Sequence, residues 1–119
     1  MNYIDGFVVP VAKKNLAAYK RLSSMAAKLY RKHGAIEYIE AVGDDLKIKG
    51  MYPFTKTVKL KPGETVLFSY IVFKSRAQRD RANAKIMKDP SLHKMMEKMP
   101  VPFDCKRMAY GGFKVFVKG

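Results

Sequence analysis

The segment Thr65-Val-Leu-Phe-Ser-Tyr-Ile-Val-Phe73 constrains the fold more than any other stretch of this chain. It is built almost wholly of β-branched and aromatic residues, so it reads as a strand. In a strand, successive side chains point to opposite faces. Val66, Phe68, Tyr70 and Val72 take one face; Leu67, Ile71 and Phe73 take the other, with Ser69 the single polar residue among them. An antiparallel sheet with one wet face alternates apolar and polar residues. This strand does not alternate, so both of its faces need a cover. A first strand over residues 3 to 9 has the same property, with Tyr3, Phe7 and Val9 against Ile4 and Val8.

The remaining elements limit what that cover can be. Residues 13 to 33 carry a helical stripe of Leu16, Tyr19, Leu22, Met25, Ala26, Leu29, Tyr30 and His33. Lys13, Lys14, Lys20, Arg21, Lys28, Arg31 and Lys32 crowd the opposite half of the wheel, so one face is buried and one is wet. Gly34 stands where a left-handed cap ends such a helix. Residues 35 to 43 read as a second strand. Residues 54 to 60 alternate and suggest a third, joined by the turn Lys61-Pro-Gly-Glu64 to the strand at 65 to 73. Ser75 caps a second helix that ends at Asp89-Pro90, and residues 91 to 98 form a short further helix. Residues 113 to 117 read as a last strand after Gly111-Gly112.

The order predicts an α+β fold: a ferredoxin-like βαββαβ antiparallel sheet with helices on one face. At 119 residues the chain is expected to be one domain. Two helices cover one face, so a second copy packing sheet to sheet would cover the other. The expected partner is therefore the chain itself, in a homodimer. The alternative is a C-terminal segment folded back over that face.

Several separated blocks together resemble the YbaA-like family of small bacterial proteins, a domain family of unknown function. They are Tyr3-Ile-Asp-Gly-Phe-Val-Val-Pro10, Gly34-Ala-Ile-Glu37, Gly43-Asp-Asp45 and Glu64-Thr-Val-Leu-Phe-Ser69. Ser75-Arg-Ala-Gln-Arg-Asp80, Pro102-Phe-Asp-Cys-Lys-Arg-Met108 and Tyr110-Gly-Gly-Phe113 continue the match over essentially the whole chain. The resemblance implies a dimeric α+β barrel and carries no activity, catalytic residue or cofactor with it.

Chemistry-bearing residues fall into four groups. Asp5, Glu37, Glu40 and Ser69 lie on expected strands with His33 nearby, and form a candidate pocket. Glu37 and Glu40 have opposite parity, so only one can face a cavity, where it could serve as a general base; a solvated edge or a salt bridge is the alternative. His33 is either a proton carrier at a cavity mouth or a structural histidine. Arg76, Arg79, Asp80 and Asn83 form a second group on the second helix. Asp80 and Asn83 share a sector with Ala77, Ala84 and Met87, which should be buried, so Asp80 needs a partner such as Arg107 or Lys106. This group is a structural polar network or an anion site. His93, Met95, Met96, Met99 and Cys105 have soft-metal ligand types, but their spacing is that of methionines packing inward from a helix, and no metal site is expected.

The fourth group is the basic face of the first helix. Twenty-four Lys+Arg against ten Asp+Glu give a net charge of +14. Lys13, Lys20, Arg21, Lys28, Arg31 and Lys32 could attract nucleic acid, yet exposed aromatics for base stacking are not evident. Nonspecific polyanion attraction is expected. The single cysteine and the lack of a signal-peptide pattern suggest a cytoplasmic protein, and no apolar run could span a bilayer. The expected function is small-molecule binding or an unrecognised enzymatic activity in a pocket between sheet and helices or inside the barrel. A polyanion-binding module and a purely structural or regulatory dimer are the alternatives.

Overall fold

The long apolar strand sits at the centre of the sheet. In the computed structural model, which describes residues 2–119, four strands run in the order β2-β3-β1-β4. They are β1 (Tyr3–Ala12), β2 (Glu37–Val42), β3 (Glu64–Phe73) and β4 (Ala109–Lys114), and every neighbouring pair is antiparallel. The helices are α1 (Leu16–Lys32), a short α2 (Phe54–Thr57), α3 (Arg76–Lys88) and α4 (Pro90–Lys98). This is the ferredoxin-like α+β arrangement that the element order predicts.

The register explains which residues face which layer. Asp5 pairs with Ile71, Phe7 with Ser69, and Val9 with Leu67, so these side chains point to the helical layer. Val9, Val11 and Leu67 pack under Leu16, Tyr19, Phe103 and Met108. Ile71 and Phe73 pack with Ala35, Ala82 and Tyr30. β1 runs past residue 9, where the sequence pattern ends it, and Pro10 lies inside it. The pairing of β1 with β4 stops at Val8, so Pro10 sits where β1 has one neighbour only, and an edge position tolerates proline.

Helix α1 follows its sequence stripe. Leu29 is buried, and all seven cations on the opposite half are exposed. Gly34 follows its last turn at φ 108°, a conformation that favours glycine, and its carbonyl accepts a hydrogen bond from Gln78 Nε2 at 2.6 Å. Ser75 caps α3 by accepting from the Gln78 backbone N–H at 3.1 Å.

Three expectations are corrected. Residues 54 to 60 are not a strand; they contain α2, and the hairpin partner of β3 is β2. A short alternating pattern carries little weight where no strand is available to pair with it. Here Phe54 turns its ring onto the edge of Phe68, with centroids 6.3 Å apart. The last strand begins at Ala109, with Gly111 and Gly112 inside it. A Cβ on Gly112 would lie 2.8 Å from Tyr3 Cε2 and 2.9 Å from Arg79 Nη2, so glycine is needed for close approach and not for a turn. Finally, α3 buries Ala82 and Ile86, while Ala77, Asp80, Ala84 and Met87 are exposed. With so few large apolar residues in α3, two alanine-bearing sectors compete, and Ile86 decides between them.

Candidate functional site

Strand β2 pairs with β3 so that Glu40 lies opposite Ser69, and both side chains face the helical layer. Across from them, α1 presents Tyr19 and Ser23, one helical turn apart. Tyr38 reaches the same point from two residues along β2. Four hydroxyls converge on the one carboxylate. Ser69 Oγ donates to Oε1 at 2.8 Å, and Tyr38 Oη donates to Oε2 at 2.7 Å. Tyr19 Oη donates to Oε1 and Ser23 Oγ to Oε2. A carboxylate offers about four lone-pair sites, so the cluster is saturated. Burial first, and then the neighbouring Glu40, holds the Tyr19 and Tyr38 hydroxyls well above the usual phenol range. Both therefore remain protonated donors.

This cluster forms a wall between two spaces. On its inner side, a cavity of about 300 Å³ lies between the sheet and the helices. Five methionines (Met87, Met95, Met96, Met99 and Met108) and Cys105 line one part of it. Phe7, Tyr19, Tyr30, Tyr38 and Phe103 line another. On the outer side, a groove of about 450 Å³ runs between α1 and β2, lined by Leu16, Lys20, Ser24 and Val42. Tyr19, Ser23, Tyr38 and Glu40 border both.

The remaining expected site residues divide differently from their grouping in the sequence. Ser69 joins the Glu40 cluster. Glu37 has the opposite parity, is exposed, and does not reach it. Asp5, only 1% exposed, joins Arg79 instead, with Arg79 Nε 3.6 Å from Oδ1. Burial raises the Asp5 carboxyl above its ordinary value, against the pull of Arg79 and the adjoining Tyr110 and Asn83. Arg79 also donates to Tyr3 Oη at 3.1 Å and lies over the Tyr3 ring. Asp80 is not a buried carboxylate seeking Arg107; its side chain is 58% exposed and contacts Arg79. Arg107 instead forks onto Glu64, with Nη1 2.7 Å from Oε2 and Nη2 2.9 Å from Oε1. That pair, helped by the Lys61 backbone N–H, lowers the Glu64 carboxyl to about 2. Arg76 is exposed at the start of α3.

A family model described as "Protein of unknown function (DUF1428)" matches residues 2–105. The chain belongs to the DUF1428 family. The "Uncharacterized protein YbaA" of Escherichia coli strain K12 is 39% identical over 117 residues, covering 98% of each chain. Among solved structures, a NIPSNAP-family protein of unknown function from Agrobacterium tumefaciens superposes with a TM-score of 0.60 at 12% identity, over 96% of this chain and 87% of that one. SnoaB, a cofactor-independent oxygenase from Streptomyces nogalater, superposes with a TM-score of 0.55 at 10% identity, over 98% and 95%. These structural likenesses are likenesses of fold. The DUF1428 match spans the whole Glu40 cluster and ends before β4.

Tyr19, Ser23 and Tyr38 carry no motif that marks them in the sequence of this DUF1428 protein. Their signal is positional: Tyr19 and Ser23 are i,i+4 on the apolar face of α1, and Tyr38 shares the parity of Glu40.

His33 lies away from the cavity. Its Nε2 is 2.7 Å from Asp89 Oδ2, which also accepts from Lys32 Nζ at 3.0 Å. Asp89 Oδ1 accepts from the Ser91 N–H at 2.9 Å and so caps α4. His33 first, then Ser91 and Lys32, hold the Asp89 carboxyl well below the usual range. A carboxyl with a depressed folded-state pKa stabilises the fold above its unfolded value near pH 4, and this contribution is lost as the pH falls. Thermal unfolding of Asp89→Asn should therefore show a smaller loss of stability than the parent between about pH 6 and pH 3. Parallel acid profiles would show that the contact is not a native-state determinant.

Among the described residues, no helix is long and apolar enough to cross a membrane.

Proposed function

We propose that this protein binds a small, largely apolar organic molecule in the cavity between the sheet and the helices, with the Glu40 cluster as its polar anchor. One observation carries the reading: a single carboxylate, saturated by hydroxyls, stands on the wall of a space lined for the rest mainly by aromatic, aliphatic and sulfur-bearing side chains. Ligand sites are commonly apolar pockets with a few convergent polar groups. Methionines adapt their shape to a guest more readily than branched residues do. SnoaB works as an oxygenase without a cofactor, so this fold is compatible with chemistry done in such a space by the chain's own residues.

The proposal includes a second copy of the chain. Ile4, Val8, Phe68, Tyr70 and Phe113 form an apolar face of the sheet that none of the helices α1, α3 and α4 covers. Phe68 is 50% exposed and Phe113 60% exposed. A C2 dimer would cover both copies of this face at once.

Titration calorimetry with 1-naphthylmethanol, a neutral two-ring probe, tests the pocket. The parent should bind it. Ala26→Trp, which places an indole into the cavity from α1, should weaken binding at least about tenfold with an unchanged far-UV spectrum. Equal affinity in the two proteins, or no binding by the parent, would overturn the reading.

A further inference from the structure

We infer that the molecule taken up by the Glu40 cavity is a cation: a hydrophobic ammonium of one or two rings. The inference rests on the pocket reading above and adds the charge of the ligand. Its basis is how this chain treats its acids. Four of them are not exposed: Asp5, Glu40, Glu64 and Asp89. Asp5 faces Arg79, Glu64 faces Arg107, and Asp89 faces Lys32 and His33. Glu40 alone has no cation in ion-pair range among the described residues; its partners are four neutral hydroxyls.

Hydroxyls satisfy the lone pairs of a carboxylate but leave its charge uncompensated. The chain does not lack positive charge, having 24 Lys+Arg. Lys20 lines the outer groove beside Glu40, yet it makes no ion pair with it. Among the described residues, no lysine, arginine or histidine lines the inner cavity, and Glu40 is the one charged residue on it. A protein of net charge +14 thus borders this space with one negative side chain and no positive one among the described residues.

The rest of the lining suits a cation. Tyr19, Tyr30, Tyr38, Phe7 and Phe103 bring five aromatic rings to the lining, and aromatic rings attract an ammonium. The hydroxyl oxygens of Tyr19, Tyr38 and Ser69 keep lone pairs after donating to Glu40, so they can accept from ammonium N–H groups. A carboxylate or phosphate ligand would face Glu40 with no cation to offset the repulsion. The volume of about 300 Å³ lies at the small end of ligand pockets, which limits the apolar part to one or two rings.

Three naphthalene probes differing in head group separate charge from shape. Calorimetry near neutral pH would compare 1-naphthylmethylamine, 1-naphthylmethanol and 1-naphthoate on the unmodified protein. The amine should bind at least about tenfold tighter than the alcohol, and the acid should not bind measurably. Glu40→Gln, which keeps the shape of the side chain, should lose the preference for the amine over the alcohol. Alcohol binding equal to amine binding, or an amine preference that survives in Glu40→Gln, would overturn the cation assignment and leave the pocket reading intact. Failure of all three probes would overturn both. The comparison of head groups on the unmodified protein decides the matter even if Glu40→Gln folds poorly.

Discussion

Arg79→Met is expected to lower the folding stability by about 3–5 kcal/mol, the usual cost of leaving a buried charge without its partner. Asp5 is almost inaccessible and sits mid-strand in β1, so it cannot turn to water. Its ion pair with Arg79 ties β1 to α3, and the same guanidinium holds Tyr3. Burial already raises the Asp5 carboxyl. Without Arg79, taking up a proton becomes its easiest escape, so the deficit should shrink in mild acid and grow as the pH rises. Asp5→Asn combined with Arg79→Met removes both charges and should recover much of the loss. Denaturant unfolding of the two single variants and the double variant measures this. A single-variant loss below about 0.5 kcal/mol, typical of an ordinary surface change, would show that the pair does not hold the sheet to α3.

Phe68→Lys is expected to break the proposed dimer into monomers. Phe68 lies near the middle of the sheet face away from the main helices, between Phe54 at its edge and the patch that includes Val8 and Phe113. A lysine in each copy would bring two ammonium groups into an apolar interface with no carboxylate on the patch to receive them. Light scattering should give twice the chain mass of 13.6 kDa for the parent and the single mass for the variant. A monomeric parent would show that this face is not held by a second copy.

The architecture is largely readable from residue order because its strongest signals are local or symmetric about one strand. The two apolar faces of β3, the stripe of α1, the Ser75 cap and the Asp89-Pro90 break each act within a few residues. The contacts that build the site are long-range and are not readable in that way. Glu37 and Glu40 are equivalent until the register sets Glu40 opposite Ser69. Asp5 and Arg79 belong to different groups in the sequence and meet only because β1 passes under α3. His33 lies in the apolar stripe of α1, yet its partner is Asp89 at the junction of α3 and α4, outside the pocket. Residues 54 to 60 alternate as a strand would, but β2 already occupies the open edge of β3. Tyr19 and Tyr38 look like ordinary core aromatics, and only their hydroxyls, meeting at Glu40, distinguish them.

The methionines offer the most direct test of the pocket. Met87, Met95, Met96, Met99 and Met108 line it, Met87 and Met96 at its exposed rim, whereas Met25 and Met51 lie elsewhere. With carbon-13-labelled methionine methyl groups, a titration with 1-naphthylmethanol should shift the five cavity resonances together and leave Met25 and Met51 in place. Shifts confined to Met25 or Met51, or none at all while the probe binds, would place the ligand outside this cavity and contradict the account.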